Sequence, residues 1–410
     1  MATVVLIGTL DTKGQEYDYL RACLTGLGCA VTLVDVGVLG QPQANPDIPR
    51  ERVAATGGRQ LADLVRTADR GAAIEVMAQG AATIVLDLFQ QGQLQGVLAV
   101  GGSGGSALAT HAMQALPVGV PKLMVSTMAA GDTRPYVGAV DITMMYSVVD
   151  IAGLNRISER ILTNAAAAIA GMARSYADVD QSATASKPLI GATMFGVTTP
   201  AVTKARQVLE AHGYEVLVFH ATGTGGKSME ALVNGGFLAG VLDLTTTELA
   251  DELVGGVLSA GPARLEAAGA MQLPQVVSLG ALDMVNFGAF DSVPPQFKER
   301  NLYKHNPTVT LMRTTPTETA ELGRIIARKL NQAQGPVALF LPLKGVSLIA
   351  TAGQPFYDPE ADQSLIDSLL ADLDTDRVEV HQFDQDINDP QFATAMANRL
   401  HEMITAGGQA

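Results

Sequence analysis

Short apolar runs alternate with helix-like segments along the whole chain, and this alternation limits the possible folds more than any other feature. Runs such as TVVLIG and GVLAV end in glycine-containing turns, and segments with helical spacing follow them. Repeated strand–helix–strand units of this kind build parallel sheets with helices on their faces. Most of the 42 glycines stand in clusters after the apolar runs, a placement typical of tight strand-to-helix loops. The sequence therefore predicts an α/β fold.

The pattern of the first half starts again in the second half. The stretches 6–37 and 189–223 both read as strand, glycine-containing turn, helix, glycine and strand. Between the halves, VDQSATASKP at 179–188 is a polar stretch that ends in proline, which is typical of a domain boundary. A chain of 410 residues is long enough for two hydrophobic cores. We predict two Rossmann-like domains, 1–184 and 185–410, each with a mostly parallel sheet flanked by helices.

Two helices are marked clearly in the sequence. The stretch 155–178 has the spacing of a long amphipathic helix. The residues on its apolar face are Ile157, Ile161, Ala165, Ala168, Ile169 and Met172. We expect this face to pack on the second domain or on a second subunit. A further helix is predicted to begin at Thr315–Glu318, where the sequence of a capping box has proline at the first helical position.

The chain is acidic, with a formal net charge of −14 and a pI near 4.8. Lys and Arg are scattered singly, so we expect no basic patch for nucleic acid or an anionic membrane surface. Cys23 and Cys29 make neither a disulfide framework nor a metal site. The N-terminus turns polar after one short strand, a pattern that fits neither a signal peptide nor a membrane span. We therefore expect a cytoplasmic protein without nucleic-acid or membrane partners.

The stretch HATGTGGKSMEAL at 220–232 nearly spells the Walker A loop of P-loop NTPases. It has the glycines, Lys227 and Ser228, but Ala221 stands where the first glycine is usual. A P-loop wraps phosphates with backbone N–H groups, while its Lys reaches the β- and γ-phosphates. Here the loop follows the second strand of its half and precedes a short helical segment, which argues against that function. We favour a glycine-rich loop at the carboxyl edge of a sheet, with a Walker NTPase as the alternative.

Three loops of the first half are predicted to meet at one edge of the sheet and bind an anion. VGGSGGSALAT leads from a buried strand into glycines that let backbone N–H groups approach a phosphate at a helix N-terminus. The candidate residues are Gly8, Thr9, Asp11, Thr12 and Lys13 in the first loop, Gly101, Gly102, Ser103, Gly104, Gly105 and Ser106 in the second, and Ser126, Thr127, Gly131 and Asp132 in the third. Asp11 and Asp132 are also candidate Mg²⁺ ligands. The alternatives are a merely tight turn at the second loop, and a capping Asp11 with a solvated Lys13 at the first.

Polar side chains also follow the strands of the second half. Besides the candidate catalytic residues His220, Lys227, Glu248 and Asp283, they are Asp243, Thr245, Thr246, Asn286, His305, Asn306, Arg313, Lys344 and Ser347. KHNPTVTLMR and GALDMVNFG are too polar for core segments and are expected beside strands. This pattern predicts a second site in which a histidine or a carboxylate acts as acid or base. The alternative for each residue is a structural role, and no HxH or HExxH spacing favours zinc.

Several motifs resemble the family of the tomato protein that confers tobamovirus resistance. They include GTLDTKGQE, GGSGGS, MVSTMAAGD, TMFGVTTP, FHATGTGGKSME and HNPTVTLMRTT, and the resemblance covers 2–406. It implies two Rossmann-like domains, an ATP-binding function for the first, and a homodimer. Carried onto this chain, the ATP loops are Gly8–Lys13, Gly101–Ser106 and Ser126–Asp132, and the Walker-like loop belongs to the second domain. The plant members extend into a further barrel-like domain, before which this sequence stops, so inhibition of a viral helicase is not transferred.

The residues and the resemblance together lead to three hypotheses. The leading one is an enzyme that binds ATP and Mg²⁺ on the first domain and a small acidic metabolite on the second, across an interdomain cleft. Phosphoryl transfer or ATP-dependent ligation then relies on Lys13, Mg²⁺ and loop N–H groups to neutralise charge. The second hypothesis is a non-enzymatic ATP-binding regulator of a protein partner. The third is a hydrolase or lyase located on the second domain.

Overall fold

The computed structural model describes residues 1–67, 69–178 and 187–408. The chain divides into two compact units, Met1–Thr184 and Ala185–Ala410. Most of the predicted linker lies outside the described residues. Each unit is built on a parallel sheet with helices packed on it, which confirms the predicted α/β class and the two Rossmann-like domains.

The N-terminal unit contains one parallel sheet. Its strands are β1 Thr3–Gly8, β2 Ala30–Asp35, β3 Gly96–Gly101, β4 Lys122–Ser126 and β5 Thr143–Tyr146. Its helices are α1 Leu10–Gly26, α2 Arg50–Thr56, α3 Leu61–Thr67, α4 Arg70–Gln90, α5 Ser103–Gln114, α6 Arg134–Val137 and α7 Arg156–Asp178. The strand order is β2-β1-β3-β4-β5. The direction in which the chain adds strands therefore reverses at β1 and β3, and open α/β sheets bind ligands beyond the carboxyl ends at such a point.

The C-terminal unit combines a parallel sheet with a smaller antiparallel one. Its strands are β6 Leu189–Met194, β7 Glu215–His220, β8 Gly240–Thr245, β9 Gln275–Gly280, β10 Met284–Phe287, β11 Leu302–Asn306, β12 Val309–Arg313, β13 Val337–Pro342 and β14 Val378–Phe383. Its helices are α8 Thr199–Ala211, α9 Thr224–Asn234, α10 Glu248–Val254, α11 Ala267–Ala270, α12 Pro316–Asn331, α13 Pro359–Asp372 and α14 Pro390–Ala406. The parallel sheet has the order β7-β6-β8-β9-β13-β14, and its first four strands repeat the order of the N-terminal sheet.

The antiparallel sheet β10-β12-β11 corrects one sequence expectation. The segments GALDMVNFG and KHNPTVTLMR were expected beside strands because of their polar residues, but they supply these three strands. Asn286 and Arg313 are buried there because each has a remote partner. The Asn286 amide donates to Asp251 at 2.7 Å, and the Arg313 guanidinium pairs with Asp362 at 2.6 Å. Buried polar groups are stable where such partners satisfy them.

The helix starts follow the sequence signals closely. At α12, Thr315 Oγ1 accepts a hydrogen bond from Glu318 N at 3.2 Å, and Glu318 Oε2 accepts one from Thr315 N at 2.7 Å. The predicted capping box is therefore confirmed. Among the helices of the described residues, one, α4, is long and apolar enough to cross a membrane by length and composition alone. Here Met77, Ala81 and Val85 of that helix lie in the hydrophobic core of the N-terminal unit, and core helices pass the same test.

Helix α7 confirms the predicted amphipathic helix and corrects its packing. Its buried face includes Leu162, Ala165, Ile169 and Ala173, which pack with α1 and the sheet of the same unit. The apolar stripe is thus covered within the N-terminal unit, whereas the sequence analysis expected it to pack on the second domain or on a second subunit. Ile157, placed on that stripe by its spacing, lies in the first turn of the helix and is 50% exposed.

This packing predicts a contrast between two truncations on α7. Leu162→Ala removes a side chain that is 2% exposed, so we expect a loss of about 2–5 kcal/mol in the free energy of unfolding. Ile157→Ala is the matched control, with an expected change within about 0.5 kcal/mol. Urea unfolding followed by circular dichroism measures both. Equal losses from the two variants would contradict the assigned buried face.

Candidate functional site

A cleft of about 650 Å³ opens at the carboxyl edge of the N-terminal sheet, between the residues that follow β1 and those that follow β3. It is lined by Thr9, Asp11, Thr12 and Lys13 from the first predicted loop and by Gly102, Ser103, Gly104 and Gly105 from the second. The two loops meet because β1 and β3 are paired neighbours, although their residues are far apart in sequence. Two of the three predicted anion-binding loops thus share one cavity.

Much of the remaining lining is apolar and forms what we call the aliphatic wall, which was not predicted from the sequence. The loop after β2 contributes Val36, Val38 and Leu39 to it, and α5 contributes Leu108. Helices α3 and α4 contribute Leu64, Val65, Ala73, Ile74 and Met77. The cavity therefore combines polar groups of the strand loops and of the start of α4 with apolar side chains. Sites for ligands with one charged and one apolar part have this mixed lining.

The open N-terminus of α5 lies at the cleft. Gly102 is the N-cap residue, and no side chain caps this end in the described part of the chain. The first N–H groups of a helix have no intrahelical partner, and the helix dipole adds partial positive charge there. Three residues of this end, Ser103, Gly104 and Gly105, line the cleft. This arrangement suits an anionic group, as expected from the glycine cluster.

Two cationic side chains line the cleft. Lys13 is half-buried, and its Nζ donates a hydrogen bond to the Ile151 carbonyl. Arg70, which the sequence analysis missed, is the first residue of α4, and a Cβ built at Gly104 would lie 3.4 Å from an Arg70 guanidinium nitrogen. The preceding residue, Asp69, caps the helix, because its carboxylate accepts a hydrogen bond from Ala72 N at 3.1 Å. Nothing in the local sequence links Arg70 to the glycine loop, because that contact depends on the packing of α4 against α5.

Asp11 is the one predicted Mg²⁺ ligand that lines the cleft. Its side chain is 8% exposed, and its Oδ2 accepts from Leu39 N at 2.7 Å and from Gly40 N at 3.1 Å. Its Oδ1 is buried and has no hydrogen-bond partner within the described chain. Mg²⁺ in nucleotide sites is held by one or two carboxylates together with phosphate oxygens. Asp11 is therefore a carboxylate of the lining that could serve Mg²⁺ arriving with a nucleotide, and its unpartnered Oδ1 lies beside Gly37 in this structure.

Asp132, the second predicted ligand, is not part of the cleft lining. Its exposed carboxylate pairs with Arg134 through two hydrogen bonds, at 2.9 Å and 2.7 Å. This pairing lowers the pKa of Asp132 to about 2. Gly131 is exposed beside it and also does not line the cleft. In the part of the chain that the structure describes, no group of three or more His, Cys, Asp or Glu residues could hold a metal ion.

The other predicted residues of the third loop support the cleft from behind. Ser126 and Ser106 are fully buried, and their hydroxyl oxygens are 2.6 Å apart. Thr127 N donates to the Gly101 carbonyl at 3.3 Å. These contacts fix the end of β4 against the start of α5. The hydroxyls of Ser106 and Ser126 therefore position the glycine loop and do not line the cavity.

Gly8 and Tyr17 set the spacing at the ends of β1 and β3. A Cβ at Gly8 would lie 2.0 Å from two carbon atoms of the Tyr17 ring, so Gly8 is needed for packing. The buried Tyr17 hydroxyl donates to the Ile7 carbonyl and accepts from Val100 N at 2.8 Å. Direct β1–β3 pairing ends one residue earlier, at Ile7 and Ala99. The hydroxyl thus replaces the backbone ladder at the base of the cleft.

In the C-terminal unit, the Walker-like loop already binds a carboxylate of the protein. Glu248 is fully buried, and its Oε1 accepts from Gly223 N at 2.7 Å and from Gly226 N at 3.1 Å. These N–H groups belong to the loop that a P-loop would use for phosphate. The carboxylate therefore takes the place of the anion, which supports the glycine-rich-loop interpretation over a Walker NTPase. Lys227 is exposed on this loop.

Glu248 belongs to a buried ionic cluster around Arg264. The guanidinium Nε donates to Glu248 Oε2 at 2.7 Å, and Nη2 donates to Asp243 Oδ1 at 2.7 Å. Glu230 lies 3.6 Å from Nη1. Both oxygens of Glu248 are used within the fold, so its geometry is that of a structural group and not of the predicted acid or base.

The remaining predicted catalytic residues lie in different environments. Asp283 is buried and accepts a hydrogen bond from Ser347 Oγ at 2.8 Å, while its Oδ1 has no partner among the described residues. Burial raises its pKa to about 7, against the opposing effect of Arg313. His220 is exposed at the end of β7, and its ring contacts Phe195 edge-on with centroids 5.3 Å apart. The structure does not place the four predicted catalytic residues in one described cavity.

Other polar residues predicted for the second site are mostly paired or exposed. Lys344 forms an exposed ion pair with Asp384 at 2.9 Å. Arg313 is committed to Asp362, as described above. His305 and Asn306 are exposed at the end of β11. The hydroxyls of Thr245 and Thr246 are buried in hydrogen bonds of their own unit.

Replacing Glu248 tests its structural role. Glu248→Ala leaves two loop N–H groups and one guanidinium donor without their buried acceptor, so we expect a loss of about 3–5 kcal/mol in the free energy of unfolding. Glu210→Ala is the control, because Glu210 pairs with Arg206 on the surface of α8 and is expected to matter by less than about 1 kcal/mol. Urea unfolding compares the variants. A change below about 1 kcal/mol in Glu248→Ala would contradict the structural role.

The raised pKa of Asp283 predicts a pH dependence of stability. In the unfolded chain an aspartate titrates near pH 4, so between about pH 4 and 7 the folded protein retains a proton that the unfolded chain has lost. The free energy of unfolding therefore decreases as the pH rises through this range. Asp283→Asn should reduce the difference in stability between pH 5 and pH 8, measured by urea unfolding.

Two features make that experiment specific. Asp251 and Glu230, whose pKa values burial also raises to about 7, preserve part of the pH dependence in the variant. Asp291→Asn, at an exposed position, is the control and should leave the dependence as in the parent protein. An unchanged dependence in Asp283→Asn would show that this carboxyl is ionised throughout the range.

Comparisons with known proteins agree over the full length of the chain. Family models described as the N-terminal and C-terminal domains of the uncharacterised protein family UPF0261 match residues 2–178 and 187–404. A UPF0261 protein of Clostridium tetani is 53% identical over 401 residues, which are 98% of each chain. The tomato protein described as ToMV susceptible protein tm-1(GCR26) is 42% identical over 423 residues, which are 99% of this chain and 56% of the tomato protein.

One of the solved structures that match the chain is a UDP-N-acetylglucosamine 2-epimerase, described as putative, from Listeria monocytogenes. It is 12% identical, covers 100% of this chain and 97% of that chain, and has a TM-score of 0.24, which is too low to support an inference about function. The family models and the close relatives, by contrast, cover both units. The chain belongs to the uncharacterised protein family UPF0261, and the tomato protein is a relative of it.

Proposed function

We propose that the N-terminal unit binds ATP together with Mg²⁺ in the cleft between the ends of β1 and β3. The observation that carries this proposal is the composition of that single cavity. It joins an open helix N-terminus, two cations, a carboxylate oxygen without a partner and an aliphatic wall. A nucleoside triphosphate has the matching parts. They are an anionic phosphate chain, a cation bound to it, and a flat base whose ring faces are apolar.

Each part of the ligand has a matching part of the cleft. The phosphates lie at the N-terminus of α5, where Lys13 and the N–H groups of Ser103–Gly105 neutralise their charge. Asp11 would hold the Mg²⁺, which when bound supplies further charge neutralisation to the phosphates. The base lies against the aliphatic wall.

For the whole chain, we propose a cytoplasmic, homodimeric enzyme that uses ATP for phosphoryl transfer or ligation of a small acidic metabolite. The support in the C-terminal unit comes from Lys227 and His220, which are exposed near the carboxyl edge of its sheet. Lys227 has no ion-pair partner within the described ranges and can attract a carboxylate. The other basic candidates, Arg313 and Lys344, are already paired with carboxylates of the protein.

A non-enzymatic ATP-binding regulator of a protein partner is the second candidate. One observation favours it, which is that Glu248 and Asp283, two of the four expected acid–base residues, are buried in contacts of the fold. Incubation with ATP, Mg²⁺ and a panel of small carboxylic acids, followed by phosphorus NMR, separates the two candidates. Consumption of ATP that depends on one acid supports the enzyme. ATP binding without turnover across the panel supports the regulator.

The nucleotide assignment predicts that Lys13→Gln weakens ATP binding. Loss of a charge-assisted contact to phosphate should lower the affinity by about tenfold or more, measured by isothermal titration of the full chain with ATP and Mg²⁺. Lys298→Gln, at an exposed position of the C-terminal unit, is the control and should bind like the parent. Circular dichroism checks that Lys13→Gln is folded, because Lys13 also contacts Ile151. Equal affinities of a folded Lys13→Gln and the parent would refute the assignment.

A further inference from the structure

We propose that Glu16, a buried residue outside the lining of the cleft, positions Lys13 for the phosphate chain of the nucleotide. It acts through the segment 147–155, which connects β5 to α7 and in which the Ile151 carbonyl accepts a hydrogen bond from the Lys13 ammonium group. The inference rests on the proposed nucleotide site, in which Lys13 contacts phosphate. It adds to that site a positioning residue that does not itself touch the ligand.

Lys13 stands at a kink in α1. Its backbone angles are φ −134° and ψ 25°, which are not helical, although the residue lies within the bounds of the helix. A regular helical backbone therefore does not fix the direction of this long side chain. A lysine side chain is flexible, and an ammonium group without a fixed position loses conformational freedom when it binds a ligand. Holding the group in place beforehand removes that cost.

The Ile151 carbonyl can hold the ammonium group without using it up. Lys13 Nζ donates one hydrogen bond to this carbonyl, and an ammonium group has three N–H donors. Two donors therefore remain for a ligand in the cleft, which Lys13 lines. The ammonium group can contact a phosphate and the carbonyl at the same time, so the position of the carbonyl sets the position of the cation.

Glu16 holds the backbone next to this carbonyl. It lies one turn beyond Lys13 on α1, it is 1% exposed, and its Oε1 accepts a hydrogen bond from Gly153 N at 2.7 Å. The Ile151 side chain is buried in the core beside α1, but Ala152 is exposed and has no such anchor. The hydrogen bond to Glu16 therefore fixes the chain immediately after the carbonyl that Lys13 contacts.

The conformation of the segment 147–155 depends on contacts of this kind. Val148 has a φ of 63°, and a β-branched residue is strained in this region. A strained backbone persists only where surrounding contacts hold it. One end of the segment is fixed by the hydrogen bond from Ser147 N to the end of β4, and the other end by Asn155, which caps α7. Glu16 holds the part between these two ends.

The test is isothermal titration of the full chain with ATP and Mg²⁺, for the parent protein, Glu16→Ala, Glu16→Gln and Asp18→Ala. Glu16→Ala removes the acceptor for Gly153 N, so the affinity for ATP should fall by about three- to tenfold. Glu16→Gln keeps an acceptor oxygen without the charge, and should bind within about twofold of the parent. Asp18→Ala removes an exposed carboxylate of the same helix and should also match the parent.

A double variant shows whether Glu16 acts through Lys13. Once Lys13→Gln has removed the ammonium group, no cation is left to position, so adding Glu16→Ala should cause no further loss of affinity. A residue that only supports the fold of the site would add its own loss. Additive losses in the double variant, or a folded Glu16→Ala that binds within about twofold of Glu16→Gln, would therefore overturn the inference.

Hydrogen exchange tests the same link in the parent protein, which covers the case that Glu16→Ala does not fold. ATP bound by Lys13 is connected to the segment 147–155 through the Ile151 carbonyl. Amide exchange in peptides from this segment should therefore slow when ATP and Mg²⁺ are added. Unchanged exchange at saturating ATP would overturn the inference while leaving the nucleotide site in place. Absence of ATP binding to the parent is a different outcome, since it refutes the proposed nucleotide site itself.

Discussion

Parallel pairing of β1 with β3 is the constraint on which the candidate site depends. Parallel neighbours have their carboxyl ends at the same edge of a sheet, so the residues after β1 and those after β3 must meet there, although about 90 positions separate them in sequence. The next strands then extend the sheet on opposite sides of this pair. The helices that follow must diverge to cover the sheet, and the space between them is the cleft. Its chemistry comes from local residues, whereas its existence comes from the strand order.

The two units share this order but use the corresponding edge differently. In the N-terminal unit the helix N-terminus after β3 is uncapped and open to a cavity. In the C-terminal unit the glycine loop after β7 is closed by Glu248, a residue that follows β8, and Arg264 balances the buried charge. Because the Glu248 carboxylate already accepts from the N–H groups of this glycine loop, those groups are not available to a phosphate. Similar glycine patterns therefore correspond to a candidate ligand site in one unit and to an internal ionic contact in the other.

Much of this molecule can be predicted from its sequence, and the exceptions have a common physical cause. Strand–helix alternation and the glycine clusters depend on neighbouring residues, so the two α/β units and the roles of Gly102–Gly105 at a helix start were predictable. The antiparallel sheet was missed because Asn286 and Arg313 become core residues only through the distant partners Asp251 and Asp362. Arg70 was missed because it meets the glycine loop through the packing of two helices. In each case the deciding contact joins residues that no local pattern connects.

Tyr17 also determines how β1 and β3 separate at the carboxyl edge of the N-terminal sheet. Its hydroxyl stands between the Ile7 carbonyl and Val100 N, where two strands would otherwise continue to pair. It acts as a spacer where direct pairing of the strands ends, at Ile7 and Ala99, and Gly8 provides the room for its ring. The separation of the strand ends beneath the cleft is therefore fixed by a single phenol held in the core rather than by side chains at the rim. A gap fixed in this way is already open before any ligand arrives, so the protein does not need to separate its strands in order to bind.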